Sequence, residues 1–286
     1  MSTELDAARR LAPAVFERPL AQRVRLALAW AAFAALTVGC FYRAGFFDLD
    51  RLVLGMTKLG FLVGFMFPPA ANGWFSEFFV GICETLGMAF IGTLLAALVS
   101  LPLGFLGARN VMPGWLAHFL LRRGFDGLRG IDQLIWALIF VNVVGLGPFA
   151  GIMAIFMSDT GTLSKLFAEA IENIDRREVD GVKAAGGGRL AVMRFGIWPQ
   201  VAPVMLSNVL YYFESNTRSA TILGIVGAGG IGLHLSDRIR VNAWDEACLI
   251  IIMILVTVSL IDVASRYART RFIRPPDAPL IETPSK

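Results

Sequence analysis

Charge is missing from the longest stretches of this chain. Leu26–Tyr42, Thr85–Ala108, Gln133–Ser158, Phe195–Phe213 and Ala247–Ile261 contain no Asp, Glu, Lys or Arg. Runs this long are too apolar for soluble helices, and about 20 apolar helical residues cross a bilayer. A water-soluble globular protein is excluded. Cysteine is scarce: Cys40, Cys83 and Cys248 are odd in number, lie in or beside apolar runs and lack metal-ligand spacing, so they read as packed, reduced thiols. The two histidines, His118 and His234, are isolated and expected at the surface. No nucleophile with a base, no paired carboxylates and no metal cluster can be picked out, so no catalytic, metal or cofactor-binding residue is assigned and the chain is not read as an enzyme. A G-x-x-x-x-G-K-[ST] motif is absent too. Gly227, Gly229 and Gly232 satisfy G-x-G-x-x-G, but they follow an apolar helix rather than a strand, and no acidic residue stands at the ribose spacing. The first apolar run has a long preceding arm and no small-x-small cleavage site, so it is read as a retained span and not a signal peptide. No internal repeat or soluble domain is visible.

Hydrophobic residues make up 56% of the chain and charged residues 17%. In lipid, each spanning segment must satisfy its own backbone polar groups, which favours helices. The fold class expected is an all-α integral membrane protein of about six transmembrane helices. Lys and Arg accumulate in cytoplasmic segments. Arg9, Arg10, Arg18, Arg23 and Arg25 place the N-terminal arm, residues 1–25, inside. The transmembrane region is 26–274, with spans near Leu26–Phe46, Phe79–Ala108, Ile131–Val144, Phe149–Ile174, Val201–Ile225 and Ala247–Ser265. The tail 275–286 is then cytoplasmic, as is the N-terminus. Leu59–Phe67, stopped by Pro68 and Pro69, is short and reads as an interfacial or re-entrant helix. Val111–Leu128 reads as a helix lying on the inner surface, and Gly227–Glu246 as an outer segment. Arg43, Arg238 and Arg240 fall on the outer side, against the rule.

The segment about 175–199 is glycine-rich and basic, lodged between apolar runs. Within DGVKAAGGGRLAVMRFGIWP, Asp180 is followed by Gly186 and then by Pro199. That spacing resembles the EAA loop of the permease subunits of bacterial ABC importers. Asp180, Gly181 and Val182 stand where that family has Glu-Ala-Ala, while Gly186 and Pro199 match its glycine and proline. Gly196 and Trp198 depart from the usual Ile and Leu. The flanks GTLSKLFAEAIENID and PQVAPVMLSNVLYYFESNTRSATILGIVGAGGIG, with ETLGMAFIGTLLAALVSLPLGFLGARN upstream, are similar to permeases of the phosphonate type over roughly Glu84–Arg269.

The resemblance implies a type I importer permease-like fold in the bacterial cytoplasmic membrane. It implies a coupling helix that docks on a separate ATPase dimer, which binds the ATP-Mg, with Asp180, Gly181, Lys183, Gly186, Arg189, Arg194 and Pro199 as the coupling residues. It further implies a second permease copy, identical or paralogous, and a periplasmic or extracellular solute-binding protein, with lipid around the bundle and no nucleic-acid partner. In this reading Gly227–Gly232 breaks span five on the outer side.

Charges inside the spans are costly and mark interior or water-lined positions. Glu214 and Arg218, spaced i, i+4, can neutralise each other. Arg218 and Asn216 can instead guide an oxyanion, because arginine presents a planar fork of donors. Asp159 and Lys165 are candidates for the same path. Glu169 and Glu172 read as braces of the coupling loop, and Asp262 with Arg266 as a structural pair. The function expected is a permease subunit for phosphonate or a related phosphorus oxyanion. The alternatives are a permease of the same architecture for another solute such as an amino acid, or a secondary transporter, whose usual internal repeats are not seen here.

Overall fold

The computed structural model describes residues 20–111 and 114–272; most of the N-terminal arm and the tail 275–286 lie outside the described residues. The chain divides into two compact units between Gly64 and Phe65. The first holds α1 (Leu20–Arg43) and nearly all of α2 (Leu49–Met66). Helix α1 starts six residues before the expected span, so Arg23 and Arg25 lie in its first turns. Helix α2 has 18 residues, twice the apolar piece visible in sequence. Its start is fixed by an Asp48–Arg51 ion pair at 3.0 Å.

The second unit contains α3 (Phe75–Gly107), α4 (Trp115–Gly130), α5 (Gln133–Val144), α6 (Pro148–Glu172), α7 (Arg176–Ala184), α8 (Trp198–Leu223), α9 (Ile231–Arg240) and α10 (Trp244–Phe272). Helix α8 is entered through a short turn, Arg189–Ala191, and a π-helical stretch, Val192–Ile197. Among the described residues, four helical stretches are long and apolar enough to cross a membrane: α1, α3, Arg189–Ala228 and α10. The pair α4–α5, bent by 81° at Gly130–Gln133, makes a fifth if counted as one broken span. Helix α6 has the length, at 25 residues, but carries Asp159, Lys165, Glu169 and Glu172.

Helix α6 lies at the centre of this unit. Small residues of α3 (Gly81, Thr85, Ala89, Gly92, Thr93, Ala96, Ser100, Gly104 and Gly107) are buried at three- and four-residue intervals along one face. Such a stripe lets helices approach closely where hydrophobic exclusion gives little drive. A methyl on Gly92 would strike Ile155 at 2.7 Å, and one on Gly104 would strike Phe167 at 2.6 Å. The pairs Met88 with Gly151, Gly92 with Ile155 and Gly104 with Phe167 advance together, so α3 and α6 run parallel. Arg122 with Glu172, Lys165 with Asp126 and Leu128 with Gly161 run in opposite order, so α4 climbs antiparallel along the end of α6 nearest α7. Helix α4 is therefore packed on α6 through its polar face. Its polar residues face charges of α6, and Asp132 restarts the chain as α5 by accepting the Leu134 amide at 2.8 Å.

At the far end of the bundle, α8 is broken by glycines with left-handed backbone: Gly227 (φ 98°), Gly229 (φ 82°) and Gly230 (φ 72°). The chain doubles back so tightly that a methyl on Gly224 would meet the Gly229 carbonyl at 2.6 Å. The freed N–H groups of Gly230 and Ile231 are taken by Glu84 and Thr85 of α3, at 3.2 and 2.9 Å. The stretch expected as an outer loop instead contains α9, with Ile231, Gly232 and Ser236 buried. His234 of α9 packs against Phe78, ring centroids 6.0 Å apart, so it is a packing residue. A clasp closes this end. Arg238 pairs with Glu246 at 3.0 Å and lies 4.6 Å over the Trp74 ring. Asn72 donates to both Asp245 and Glu246 at 3.0 Å.

The close approach at Gly161 is testable. A Cβ there would meet backbone atoms of Phe125 and Arg129 at 2.9 Å. Gly161→Val is expected to destabilise the purified chain by about 1–3 kcal/mol, read as a lower melting temperature in detergent. Gly87→Ala, with nothing within 4 Å of the new methyl, leaves it unchanged.

Candidate functional site

Two groups of residues carry the candidate chemistry, one at an end of the bundle and one within it. At the end, Asp175 caps α7 by accepting the Arg177 amide at 2.9 Å. Gln200 of α8 ties the base of α7 down: its Oε1 takes the Asp175 N–H at 2.9 Å, and its Nε2 donates to the Gly196 carbonyl at 2.7 Å. Val179 is the buried residue of α7, and it lies against Gly196, where a methyl would meet its Cα at 3.2 Å. Glycine at that position lets the two backbones touch.

Helix α7 ends in a Schellman turn. The Gly186 N–H donates to Lys183 O at 2.9 Å and the Gly187 N–H to Val182 O at 3.0 Å. Gly186 supplies the left-handed residue this turn needs, with φ of 80°. Gly181, by contrast, has open space where a methyl would go. Asp180 and Lys183 are exposed and loosely paired at 3.6 Å. Arg189 and Arg194 are also exposed, Arg194 lying 5.5 Å over the Phe195 ring. Pro199 occupies the first turn of α8, where a missing N–H is harmless. Asn110, Arg176, Asp180, Lys183, Arg189 and Met193 are among the residues lining a cleft of about 1100 Å³ beside α7.

Inside the bundle, Asn216 is 3% exposed. Its Nδ2 donates to Asp159 and, at 2.8 Å, to Thr93 Oγ1, while its Oδ1 accepts from Gln133 at 3.0 Å. One carboxamide therefore joins α3, α5, α6 and α8. Arg218, two residues on, points elsewhere, as i, i+2 spacing requires. It faces α10, with Glu214 at 3.8 Å and Asp262 at 3.5 Å, and its side chain is 49% exposed. Glu214 is held more closely by Arg269, at 2.9 Å.

The structure thus does not bring Asn216 and Arg218 together. The expected Glu214–Arg218 pair is present, at 3.8 Å, as part of a network of two acids and two arginines. Asp262 faces Arg218 rather than Arg266, which reaches only the Asp262 carbonyl, at 3.3 Å. Lys165 does not join Asp159 on a path: it is bonded to Asp126 of α4 at 2.7 Å. Glu172 braces α4 through Arg122 at 2.7 Å and the Arg109 amide at 2.9 Å, and so does not reach the coupling loop. His118, expected at the surface, is buried and accepts a hydrogen bond from Arg109.

Thr93, Gln133, Asp126 and Arg269 were not singled out from sequence. The partners quoted for them above lie 39 to 123 positions away, and Asp126 also has a local one, Arg123 at i, i+3. Among the described residues no cluster of His, Cys, Asp or Glu is placed to hold a metal.

Comparison with known proteins gives this geometry its class. A chain of the MetNI methionine ABC transporter, solved in inward-facing conformations, superposes with a TM-score of 0.62 at 19% identity, over 72% of this chain and 100% of that one. The fold is that of an ABC importer permease. The family described as binding-protein-dependent transport system inner membrane component matches residues 100–274, more than half of the sequence, and the chain belongs to it. The phosphite transport system permease protein PtxC of Stutzerimonas stutzeri is 35% identical over 240 residues, covering 84% of this chain and 86% of that protein. The phosphate-import permease protein PhnE of Mycolicibacterium smegmatis is 36% identical over 208 residues, 73% of this chain and 39% of that protein.

Asn216→Ala is expected to strip Asp159, Thr93 and Gln133 of a shared partner in a buried site. The loss is about 2–4 kcal/mol, read as a clear fall in melting temperature. Lys183→Ala, on the exposed face of α7, leaves the melting temperature unchanged.

Proposed function

We propose that this chain forms the translocation path for a phosphorus oxyanion (phosphonate, phosphite or phosphate) and is driven by a separate ATPase that binds the ATP-Mg. The observation that carries the substrate class is the likeness to a phosphite permease over 84% of the chain. Arg218 is the residue that suits it. Arg218 is half exposed and sits 3.5–3.8 Å from its acidic neighbours, whereas Glu214 already has Arg269. An incoming oxyanion can take the guanidinium without leaving Glu214 unpaired, and arginine's fork suits its oxygens. Asp159, Asn216 and Lys165 then act as supports of the path, fixing α3, α4, α6 and α8 around it.

The ATPase dimer docks on α7, where Asp180, Lys183, Arg189 and Arg194 are exposed and Gly186 sets the turn. The α7 end is cytoplasmic, as are both termini, in keeping with the arginines around it. A solute-binding protein delivers the anion at the clasped end. A second permease copy encloses the path, since a single bundle cannot surround a solute.

Two substitutions test this reading in proteoliposomes holding the permease, its ATPase and its binding protein. Arg218→Ala is expected to lower phosphite uptake at least about tenfold while the chain still assembles, with Arg218→Lys falling between. Wild-type uptake by Arg218→Ala would remove arginine from the path. Gly186→Val forces a branched side chain into left-handed backbone, a strain of about 1–3 kcal/mol. It is expected to disconnect ATP hydrolysis from uptake while leaving membrane insertion intact. Unchanged uptake would dismiss the coupling role of the turn.

A further inference from the structure

The α7 end of the bundle carries a second polar feature that transport leaves unused. Between the end of α3 and the first turns of α4 lies a cleft of about 520 Å³, lined by Arg109, Trp115, His118, Phe119, Arg122 and Arg123. Its charge is one-sided. Arg122 pairs with Glu172 at 2.7 Å and Arg123 with Asp126 at 3.0 Å, but Asp126 also holds Lys165 at 2.7 Å. The guanidinium of Arg109 meets an imidazole rather than a carboxylate, its Nε donating to His118 Nε2 at 3.0 Å. Three cations therefore share two acids, and the Arg109 guanidinium has no carboxylate partner among the described residues.

Arginine is always a donor, so Nε2 of His118 must be the accepting nitrogen and the ring proton sits on Nδ1. His118 is 7% exposed, and Nδ1 has no partner among the described residues; neither has Arg122 Nε. Both are buried donors, so this corner is short of acceptors as well as of acids.

The rim of the cleft is of a different kind. Trp115 is 77% exposed and stacks on Phe119, centroids 6.1 Å apart and planes at 22°. Arg123 lies 5.7 Å over the same Phe119 ring. Tryptophan exposed on a membrane bundle belongs at the boundary between headgroups and acyl chains.

We propose that this cleft binds the phosphate headgroup of an anionic phospholipid in the leaflet at the α7 end. Arginine forks take the phosphate oxygens, and Trp115 with Phe119 takes the first acyl carbons. A free oxyanion has the same phosphate chemistry but leaves the aromatic rim without an apolar partner. A lipid satisfies both halves. The bound headgroup would fix α4 against α3 at the end where α7 leaves the bundle, whichever solute is carried.

The test uses the purified full chain in detergent, titrated by native mass spectrometry with dioleoyl phosphatidylglycerol, dioleoyl phosphatidylcholine or inorganic phosphate. Phosphatidylglycerol is expected to bind and phosphatidylcholine not. The double variant Arg109→Gln, Arg123→Gln should bind phosphatidylglycerol about thirtyfold more weakly, and the double lysine variant should keep most of the affinity. Equal binding by the wild type and the glutamine variant overturns the proposal. Displacement of the lipid by millimolar inorganic phosphate would assign the cleft to a free anion and overturn the lipid occupant. Should the glutamine variant not fold, a photoactivatable phosphatidylglycerol on the unaltered chain decides. Cross-links within residues 115–123 uphold the site, and cross-links confined to other segments refute it.

Discussion

A carboxamide buried in the middle of a helix bundle must have its polar atoms satisfied, and lipid cannot do so. Asn216 meets that demand with Asp159, Thr93 and Gln133, and in doing so sets the rotation of four helices at once. The small-residue face of α3 brings α6 near enough for this bond set to close, and the set in turn specifies which face of α8 looks inward. Once Asn216 faces the core, Glu214 and Arg218 must face α10. The placement of the charged network follows from the placement of the neutral knot.

The two ends of the second unit are built on different chemistry. At the glycine-broken end, backbone donors are taken by α3, and aromatic rings hold an arginine in place. At the α7 end, residues on exposed turns leave their charges loosely paired, as the Asp180–Lys183 distance of 3.6 Å illustrates. An exposed, weakly paired surface offers many polar contacts to a docking protein and loses little when it is covered.

The helices were legible because absence of charge over some 15 to 25 residues has few structural meanings. The turn that ends α7 and the first turn of α8 were legible because Gly186 and Pro199 have local physical roles. The course of α4 was not. An amphipathic stretch such as Trp115–Gly130 reads the same whether it meets headgroups or one polar helix, and here Gly161, Lys165 and Glu172 of α6 decide the matter. Likewise the i, i+4 rule finds Glu214 and Arg218 but is blind to Arg269, which lies 55 positions from Glu214 and binds it more closely. His118 and His234 looked solitary for the same reason: Arg109 and Phe78 reach them only through the fold.

The clasp of Arg238 with Glu246, Trp74 and Asn72 joins the start of α3 to the corner between α9 and α10. Two long helices that run the same way are thereby pinned at one extremity. At the opposite extremity, beside α7, no such pin joins α3 to α10 among the described residues. Any tilt of one of these helices against the other therefore pivots at the clasp, and the displacement it produces grows with distance from there and is largest beside α7.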